Sequence, residues 1–540
     1  MNALLSWIIF LPAVTVLPLL LLPKEREGLI RTITLLSMSV TFLISLVVLA
    51  NFRPVGEMQM LEQHAWIPSL GISYLLGIDG ISLFLVLLTT LLTPLVVLSA
   101  RHAISEKVKE FHILMLVLQT GMLGAFLALD LFLFYVFWEV MLLPMYLLIG
   151  VWGGQRRIYA AVKFVLYTIV GSLLMLVAIL CIAFDHHAQT GQFTFNLLEL
   201  YRTTFAPARQ MWYFAAFALA FAIKVPVFPL HTWLPDAHVE APTAGSVILA
   251  GVLLKLGTYG FLRFALPLFP AAAHAFQPLF LTLAAVGIVY GALVAMVQTD
   301  VKKLVAYSSV SHLGYCMLGL FSFNLQGYAG SLYQMLNHGL STGALFLLVG
   351  VIYERRHTRD IAEFGGLAQV IPWFTVVFVF VTLSSVGLPG LNGFVGEFLV
   401  LMGAFGENRL VATISAIGVV LGAVYMLWLV KRFLFGELTN EKNKGLTDLT
   451  AREGWVLAPI LILCVYMGVQ PKPMLALMEP SLELSLRAVA SESRAHGGAG
   501  LVGSEREQWA LAVMGSGYRP DVRYTFRGGV ASPVAERESR

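Results

Sequence analysis

The sequence predicts an all-α polytopic membrane protein with about fourteen transmembrane helices. Three observations carry that prediction: the composition, the length of the apolar runs and the placement of basic residues. Hydrophobic side chains make up 58% of the 540 residues, charged ones only 12%, and the mean hydropathy is +0.81. Soluble domains do not reach such values. The apolar runs are each roughly 18 to 24 residues long, which suits a helix crossing a hydrocarbon layer of about 30 Å; barrel strands would be shorter and would alternate. Lys24, Arg26, Arg101, Lys107, Lys109, Arg156, Arg157, Lys302, Lys303, Arg355, Arg356, Arg359, Lys442 and Lys444 all follow odd-numbered runs, whereas even-numbered runs are followed by little beyond Arg53, Arg202, Arg209 and Arg409. Because cytoplasmic loops collect Lys and Arg, this asymmetry predicts one alternating topology with both termini on the non-cytoplasmic side.

Taken in order, the spans fall near 3–22, 29–50, 79–100, 111–128, 131–150, 161–184 and 211–230, then 242–265, 275–297, 304–323, 328–350, 371–405, 410–431 and 454–470. The first has no basic region ahead of it and reads as a span rather than a cleavable signal. The seventh is interrupted by Pro226 and Pro229 just after Lys224. The twelfth is too long for one crossing and contains Leu388-Pro389-Gly390-Leu391-Asn392-Gly393, so Pro389 and Gly390 mark a second hinge. The two interruptions, both built from Val, Pro and Leu, form a faint internal repeat, and paired broken helices point to a transport site near the bilayer midplane. Residues 471–495 read as a short amphipathic element on the membrane surface. The tail from 496 to 540 is rich in Gly, Ser, Glu and Arg and is expected to be disordered.

Charge inside the spans is the chemical signal. An ionised carboxylate at Glu139, within LFLFYVFWEVMLLPMYLLIGVWGG, costs about 2.5–3.5 kcal/mol on insertion scales and requires an offset. A cation on a neighbouring helix, with Lys224 the first candidate, or protonation of the carboxyl within the core would supply it. Lys224 and Lys255 lie too far from the span ends for easy snorkelling. Desolvation disfavours the charged form of any buried base, so such groups can gain and lose protons reversibly. His312 and His338 fall in consecutive spans. Either alone reads as a satisfied structural histidine, but with Lys255 before them and Glu397 after them they read as successive proton-holding stations. His231 and His238, in HTWLPDAHVEAP, form either a polar proton entrance at the cytoplasmic end of the seventh span or a structural cap.

Several classes are excluded. A formal charge of +4 is too small and too scattered for nucleic acid. There is no GxxxxGK[ST] loop, no GxGxxG after a strand and no CxxC, so no metal-binding or cofactor-binding residues are expected in this chain. Cys181, Cys316 and Cys464 lie within apolar runs without metal-type spacing and read as packing residues. Energy must therefore come from a gradient or from partner subunits.

The stretches FWEVMLLPMYLLIGVWGG, KVPVFPLHTWLPDAHVEAPTAGSVILAGVLLKLGTYG, TDVKKLVAYSSVSHLGY and GLPGLNGFVGEFL resemble the motifs of the antiporter-like membrane subunits of respiratory complex I, NADH:quinone oxidoreductase. Glutamate rather than lysine at 397 points to the subunit M/chain 4 branch. The resemblance runs from about residue 1 to 480 and leaves the tail beyond about 495 unexplained. It implies three N-terminal helices (1–110), two inverted five-helix repeats (111–265 and 275–433) with broken helices 7 and 12, and a last helix with its amphipathic segment (454–495). It also implies one proton channel: Glu139 and Lys224 as a coupled input pair, Lys255 and His312 as the central connection with His338 alongside, and Glu397 nearest the outlet. The enzyme would be the whole complex, with NADH, flavin, iron–sulfur clusters and quinone held by other subunits and no catalytic centre here. The implied partners are the lipid bilayer and other membrane-arm subunits, especially sister subunits L and N, in a bacterial inner membrane. Two other readings stay open: the D-type subunit of a multi-subunit Na⁺/H⁺ antiporter, and a scaffold in a hydrogenase-type complex.

Overall fold

A computed structural model describes residues 3–493, 503–515, 518, 524–527 and 530–533. Helices α1 (Leu4–Leu21), α2 (Glu27–Asn51), α3 (Gly80–Ser99) and α4 (Val108–Leu127) come first. The fifth span is two pieces, α5 (Leu131–Val140) and α6 (Leu142–Trp152). Pro144 has no N–H to return to the Val140 carbonyl, so the helix gives way at Met141. Then come α7 (Arg157–Thr190), a single turn α8 (Leu197–Leu200), α9 (Pro207–Lys224) and α10 (Trp233–Glu240). The eighth span, Thr243–Leu268, runs through α11 (Thr243–Ile248), α12 (Leu254–Gly260) and α13 (Leu266–Leu268), joined by π-helical turns at Leu249–Leu253 and Phe261–Ala265.

The second half comprises α14 (Pro270–Met296), α15 (Val301–Leu320), α16 (Leu325–Arg356), α17 (Pro372–Val386), α18 (Asn392–Glu407), α19 (Arg409–Phe433) and α20 (Ala451–Val469). A long helix α21 (Lys472–Ser493) follows, and α22 (Gly503–Met514) closes the described helices. Among the described residues eleven helices are long and apolar enough to cross a membrane. Helices α9 and α15 and the pair α17 and α18 lie where the other expected spans fall, but are shorter or more polar than those eleven.

Both expected breaks are present. Chain direction changes after Lys224, where Pro226 and Pro229 withhold two donors, and helix resumes at Trp233. Between α17 and α18 the chain turns through Gly387 (φ 82°) and Gly390 (φ 94°), left-handed values that glycine adopts without steric penalty.

The sequence reading places no strand between the second and third spans, yet β1 (Gln59–Ile67) and β2 (Ile72–Ile78) pair there as an antiparallel hairpin. It is anchored from both sides. The Glu62 carboxylate accepts from Leu5 N (2.7 Å) and Ser6 N (3.1 Å), occupying orphan donors of α1 that Ala3 cannot cap. The tail expectation also needs correction: Gly503–Met514 is a helix packed against the rest of the chain. Trp509 packs against Tyr201 with the rings tilted, centroids 4.8 Å apart, and donates to the Leu484 carbonyl, while Met58 N donates to Val513 O at 2.9 Å. The apolar side chains from Trp509 to Met514 form one short run that shows no helical period, and burial against α21 decides the element. The rest of 496–540 lies largely outside the described residues.

The centre of the bundle is the eighth span and α16. The best apolar window of Thr243–Leu268 is 100% buried and that of α16 94%, against 28% for the peripheral α19. The chemistry-bearing residues sit on these two central helices and on the helices that wrap them.

Candidate functional site

Lys224 ends α9 at the first break. It is buried, and its Nζ lies 5.0 Å from the Trp138 ring centroid and 5.7 Å from that of Phe164, so part of its charge faces aromatic surfaces. Glu139 stands one residue beyond Trp138 at the end of α5, half-buried, with Oε1 buried and without a hydrogen-bond partner. Glu139 is the carboxylate within electrostatic reach of Lys224, yet the two do not meet within ion-pair distance. The direct pair expected from the sequence is therefore open in this structure, with aromatic rings between the helices in place of the contact.

Gly257 brings the next station close. A Cβ there would stand 2.7 Å from Phe221 O and 2.9 Å from Val225 N, so only glycine allows α12 to lie against the end of α9. Two residues earlier, Lys255 is fully buried and donates to the Ala250 carbonyl in the π-helical turn Leu249–Leu253. The same Nζ lies 2.6 Å from His338 Nδ1 of α16. An ammonium has only donors, so His338 accepts at Nδ1 and carries its proton at Nε2 when Lys255 is charged. That Nε2 is buried and has no partner among the described residues.

The His338 ring centre is 5.9 Å from that of His312 on α15. His312 bridges two elements: Nδ1 is 3.0 Å from Glu397 Oε1 on α18, and Nε2 is 3.3 Å from Ser385 Oγ at the end of α17. Gln334 Nε2 also donates to Glu397 Oε1 at 3.0 Å, and Asn337 Nδ2 donates to Gln334 Oε1 at 3.0 Å. Lys255, His338, His312 and Glu397 thus lie in one file, with His338 between Lys255 and His312 rather than beside them. The hinge residues Pro389 and Gly390 lie in the connection beyond Ser385.

His231 and His238 sit on the other side of the first break. His231 packs near Phe228 and Tyr290, and its Nδ1 has no partner. His238 is fully buried, stacked 4.6 Å over Phe346 with neither ring nitrogen bonded. Next to it in sequence, Val239 and Glu240 enter the wall of an open polar cavity of about 630 Å³, lined also by Arg156, Asp300, Lys302 and Arg359. Lys302 Nζ reaches back to the Ala241 carbonyl at 2.6 Å, and Arg359 pairs with Asp300 at 3.2 Å.

Five residues were not singled out from the sequence. Gln334, Asn337 and Ser385 carry no charge and have no sequence signal beyond their setting. Lys302 lies at a helix start, where a lysine is ordinary. Arg263 was legible, because an arginine inside LGTYGFLRFALPL meets the same criterion as Lys255. It forms a 2.5 Å ion pair with Asp79, the N-cap of α3, with side-chain exposures of 5% and 2%. Among the described residues no cluster of three metal-ligating side chains occurs.

Broken helices around a buried file of titratable groups define the transporter class of membrane protein. The family model described as NADH:quinone oxidoreductase/Mrp antiporter, transmembrane, matches residues 128–424, and that described as NADH-ubiquinone oxidoreductase chain 4, amino terminus, matches residues 7–127. NADH-quinone oxidoreductase subunit M of Rhodobacter capsulatus is 48% identical over 502 residues, 89% of this chain and 96% of that protein. NADH-ubiquinone oxidoreductase chain 4 of Arabidopsis thaliana is 48% identical over 480 residues, 88% of this chain and 96% of that protein. Among solved structures, a chain of respiratory complex I from Thermus thermophilus superposes with a TM-score of 0.82 at 36% identity, covering 90% of this chain and 99% of that one. A chain of the Mrp complex from Dietzia shares the fold, with a TM-score of 0.77 at 23% identity over 91% of this chain and 100% of that one. The chain belongs to the NADH:quinone oxidoreductase subunit M/chain 4 family of antiporter-like membrane subunits.

Proposed function

We propose that this chain is a proton-translocating membrane-arm subunit of an NADH:quinone oxidoreductase, and that its protons pass by Glu139, Lys224, Lys255, His338, His312 and Glu397. The carrying observation is the buried file from Lys255 through His338 and His312 to Glu397, in which the end links are hydrogen bonds and the two imidazole ring centres at the middle link are 5.9 Å apart. Lys255 hands a proton to His338 Nδ1, His338 releases one from Nε2, and His312 passes one from Nδ1 to Glu397. Each step moves a proton between neighbours, and the chain regains its starting state once Lys255 is reprotonated, both imidazoles return to their first tautomers and Glu397 discharges. Protons enter from the polar cavity beside His238 and Lys302, with His231 near the break, and leave beyond Glu397 where α17 ends.

The open Glu139–Lys224 pair is the switch in this reading. Quinone reduction elsewhere in the complex changes the charge along the arm; closing the pair stabilises the ammonium of Lys224, which takes up a proton, and opening it withdraws that stabilisation and releases the proton onward. Sister subunits L and N flank the chain, the pseudo-repeats 111–265 and 275–433 each supply one broken helix, and both termini face the outer side of a bacterial inner membrane.

The test is the complex purified with this chain and reconstituted in vesicles. Glu139→Gln and Lys255→Met assemble with the other subunits, oxidise NADH, and translocate fewer protons per electron. A normal proton-to-electron ratio in both variants refutes the proposal, and sodium uptake in place of proton uptake moves the chain to the Mrp-type reading.

A further inference from the structure

We propose that Gln334 and Asn337 form a positioning pair that orients the Glu397 carboxylate, committing Oε1 to His312 and leaving Oε2 to the helix break. The inference rests on the reading of Glu397 as a proton station and adds the groups that hold it.

The two amides form a polarised chain. Asn337 Nδ2 donates to Gln334 Oε1, and Gln334 Nε2 donates to Glu397 Oε1, each at 3.0 Å. Their orientation follows from their ends. Turning either amide over would set two oxygens or two NH₂ groups face to face, so both donors point towards the carboxylate. Both residues are almost completely buried, on the face of α16 that meets α18. Buried amides without a function are costly, and here Asn337 Oδ1 has no partner among the described residues.

The backbone is arranged to admit them. Gly396 precedes Glu397, and a Cβ there would lie 2.5 Å from Gln334 Oε1 and 2.6 Å from Asn337 Nδ2. The pair thus occupies space that only glycine leaves open. On the other side, Oε2 accepts no hydrogen bond among the described residues and faces Gly387, where a Cβ would stand 3.2 Å away. Gly387 ends α17 at a left-handed φ of 82°, beside the Ser385 that bonds His312.

Each oxygen consequently has one task. A proton leaving His312 Nδ1 joins the carboxylate on the Oε1 side, the imidazolium becomes neutral, and Glu397 becomes the neutral acid. Once protonated, Oε1 is a poor acceptor for Gln334, so the neutral carboxyl can turn its O–H towards the break, and discharge there returns the carboxylate to its held orientation. Because neither amide titrates, Gln334 and Asn337 orient the acid without offering the proton a side path. Freed of them, the carboxylate can rotate, and His312 loses its fixed acceptor.

The experiment uses the complex containing this chain in vesicles, with the rate of proton release, the proton-to-electron ratio and redox-induced infrared difference spectra as readouts. Glu397→Gln identifies the Glu397 carboxyl band by its disappearance. Gln334→Met, of similar shape but without a donor, should displace that band and slow proton release roughly tenfold or more, the scale of one bond to a charged group. Gly396→Ala should reproduce both effects by displacing the two amides without removing either residue, and it covers the case where the first variant fails to assemble. If Glu397→Gln abolishes translocation while Gln334→Met and Gly396→Ala leave band and ratio unchanged, the positioning role is overturned and the proton station stands. If Glu397→Gln leaves the ratio unchanged, the station itself falls, and the positioning role with it.

Discussion

Removing one partner of the Asp79–Arg263 pair should be among the most destabilising changes in the protein, and removing both should be tolerated. Arg263 Nη2 meets Asp79 Oδ1 at 2.5 Å, and that oxygen also accepts from Ile81 N at 3.1 Å and Ser82 N at 3.0 Å, capping α3. With both side chains almost solvent-free, Arg263→Met leaves an uncompensated buried carboxylate, and Asp79→Asn leaves an uncompensated buried guanidinium. Breaking such a pair costs about 3–5 kcal/mol. Since about 1.36 kcal/mol is one decade, each single variant should shorten the half-life of thermal inactivation by roughly two to nearly four decades if the loss falls on unfolding. The asparagine side chain of the double variant keeps an oxygen to cap α3, and no charge is stranded, so its half-life should return to within about one decade of the wild type. The assay is residual NADH-driven activity of the detergent-solubilised complex after timed heating, for all four members of the double-mutant cycle. Since the pair touches neither Lys255 nor Glu397, the double variant should also keep the wild-type proton-to-electron ratio. Additive losses in the double variant would refute the argument, because they would mean that the charges are not each other's compensation.

Other expectations concern the edges of the bundle. Ending the chain before Gly503 removes Trp509 and Val513 from above the Asp79–Arg263 pair; the complex should lose about 2–3 kcal/mol of heat resistance, the burial of one large side chain, with its proton ratio intact. Replacing Glu62 by Ala strips the cap from α1 and should cost about 1–2 kcal/mol, read as a lower inactivation temperature. Asp130 lies between α4 and α5, outside the spans, and burial pushes its carboxyl up from 3.8 to about 6 against hydrogen bonds from Ser73, Leu133 and Phe132. The folded state therefore holds that proton more tightly than the unfolded one, so its stabilising effect is present below about pH 4 and lost as pH rises through about 6. Asp130→Asn should abolish this slope and outlast the wild type above pH 6 by up to about 3 kcal/mol, measured as inactivation half-life against pH. Equal slopes in the two proteins would exclude Asp130 as the titrating group.

Much of the architecture was legible because lipid imposes a simple rule. Every spanning backbone must bond within its own helix, so an apolar run about as long as a bilayer is thick is a helix, and Pro229 or Gly390 inside one is a break. Lys224, Lys255 and Glu397 stood out for the same reason, as charges where charge is expensive. The hairpin Gln59–Ile78 was not legible, because its pairing is decided by contacts with helix ends such as that of α1, far away in sequence. Helix α22 was missed because a polar tail shows no period until α21 and the loop at Tyr201 cover it.

At the site the division is sharper. The sequence by itself determined which residues carry charge into the membrane and where the helices must break, since both follow from local chemistry set against a uniform apolar solvent. Only the tertiary structure decided who faces whom: that His338 stands between Lys255 and His312, that Glu139 and Lys224 are apart, that Arg263 is paired with Asp79, and that Gln334 and Asn337 reach Glu397 over Gly396. Those relations join residues separated by as many as 184 positions, and they depend on helix rotation and on glycine-sized gaps. No periodicity along a single helix records how far its neighbour is turned, so that information resides in the packing alone.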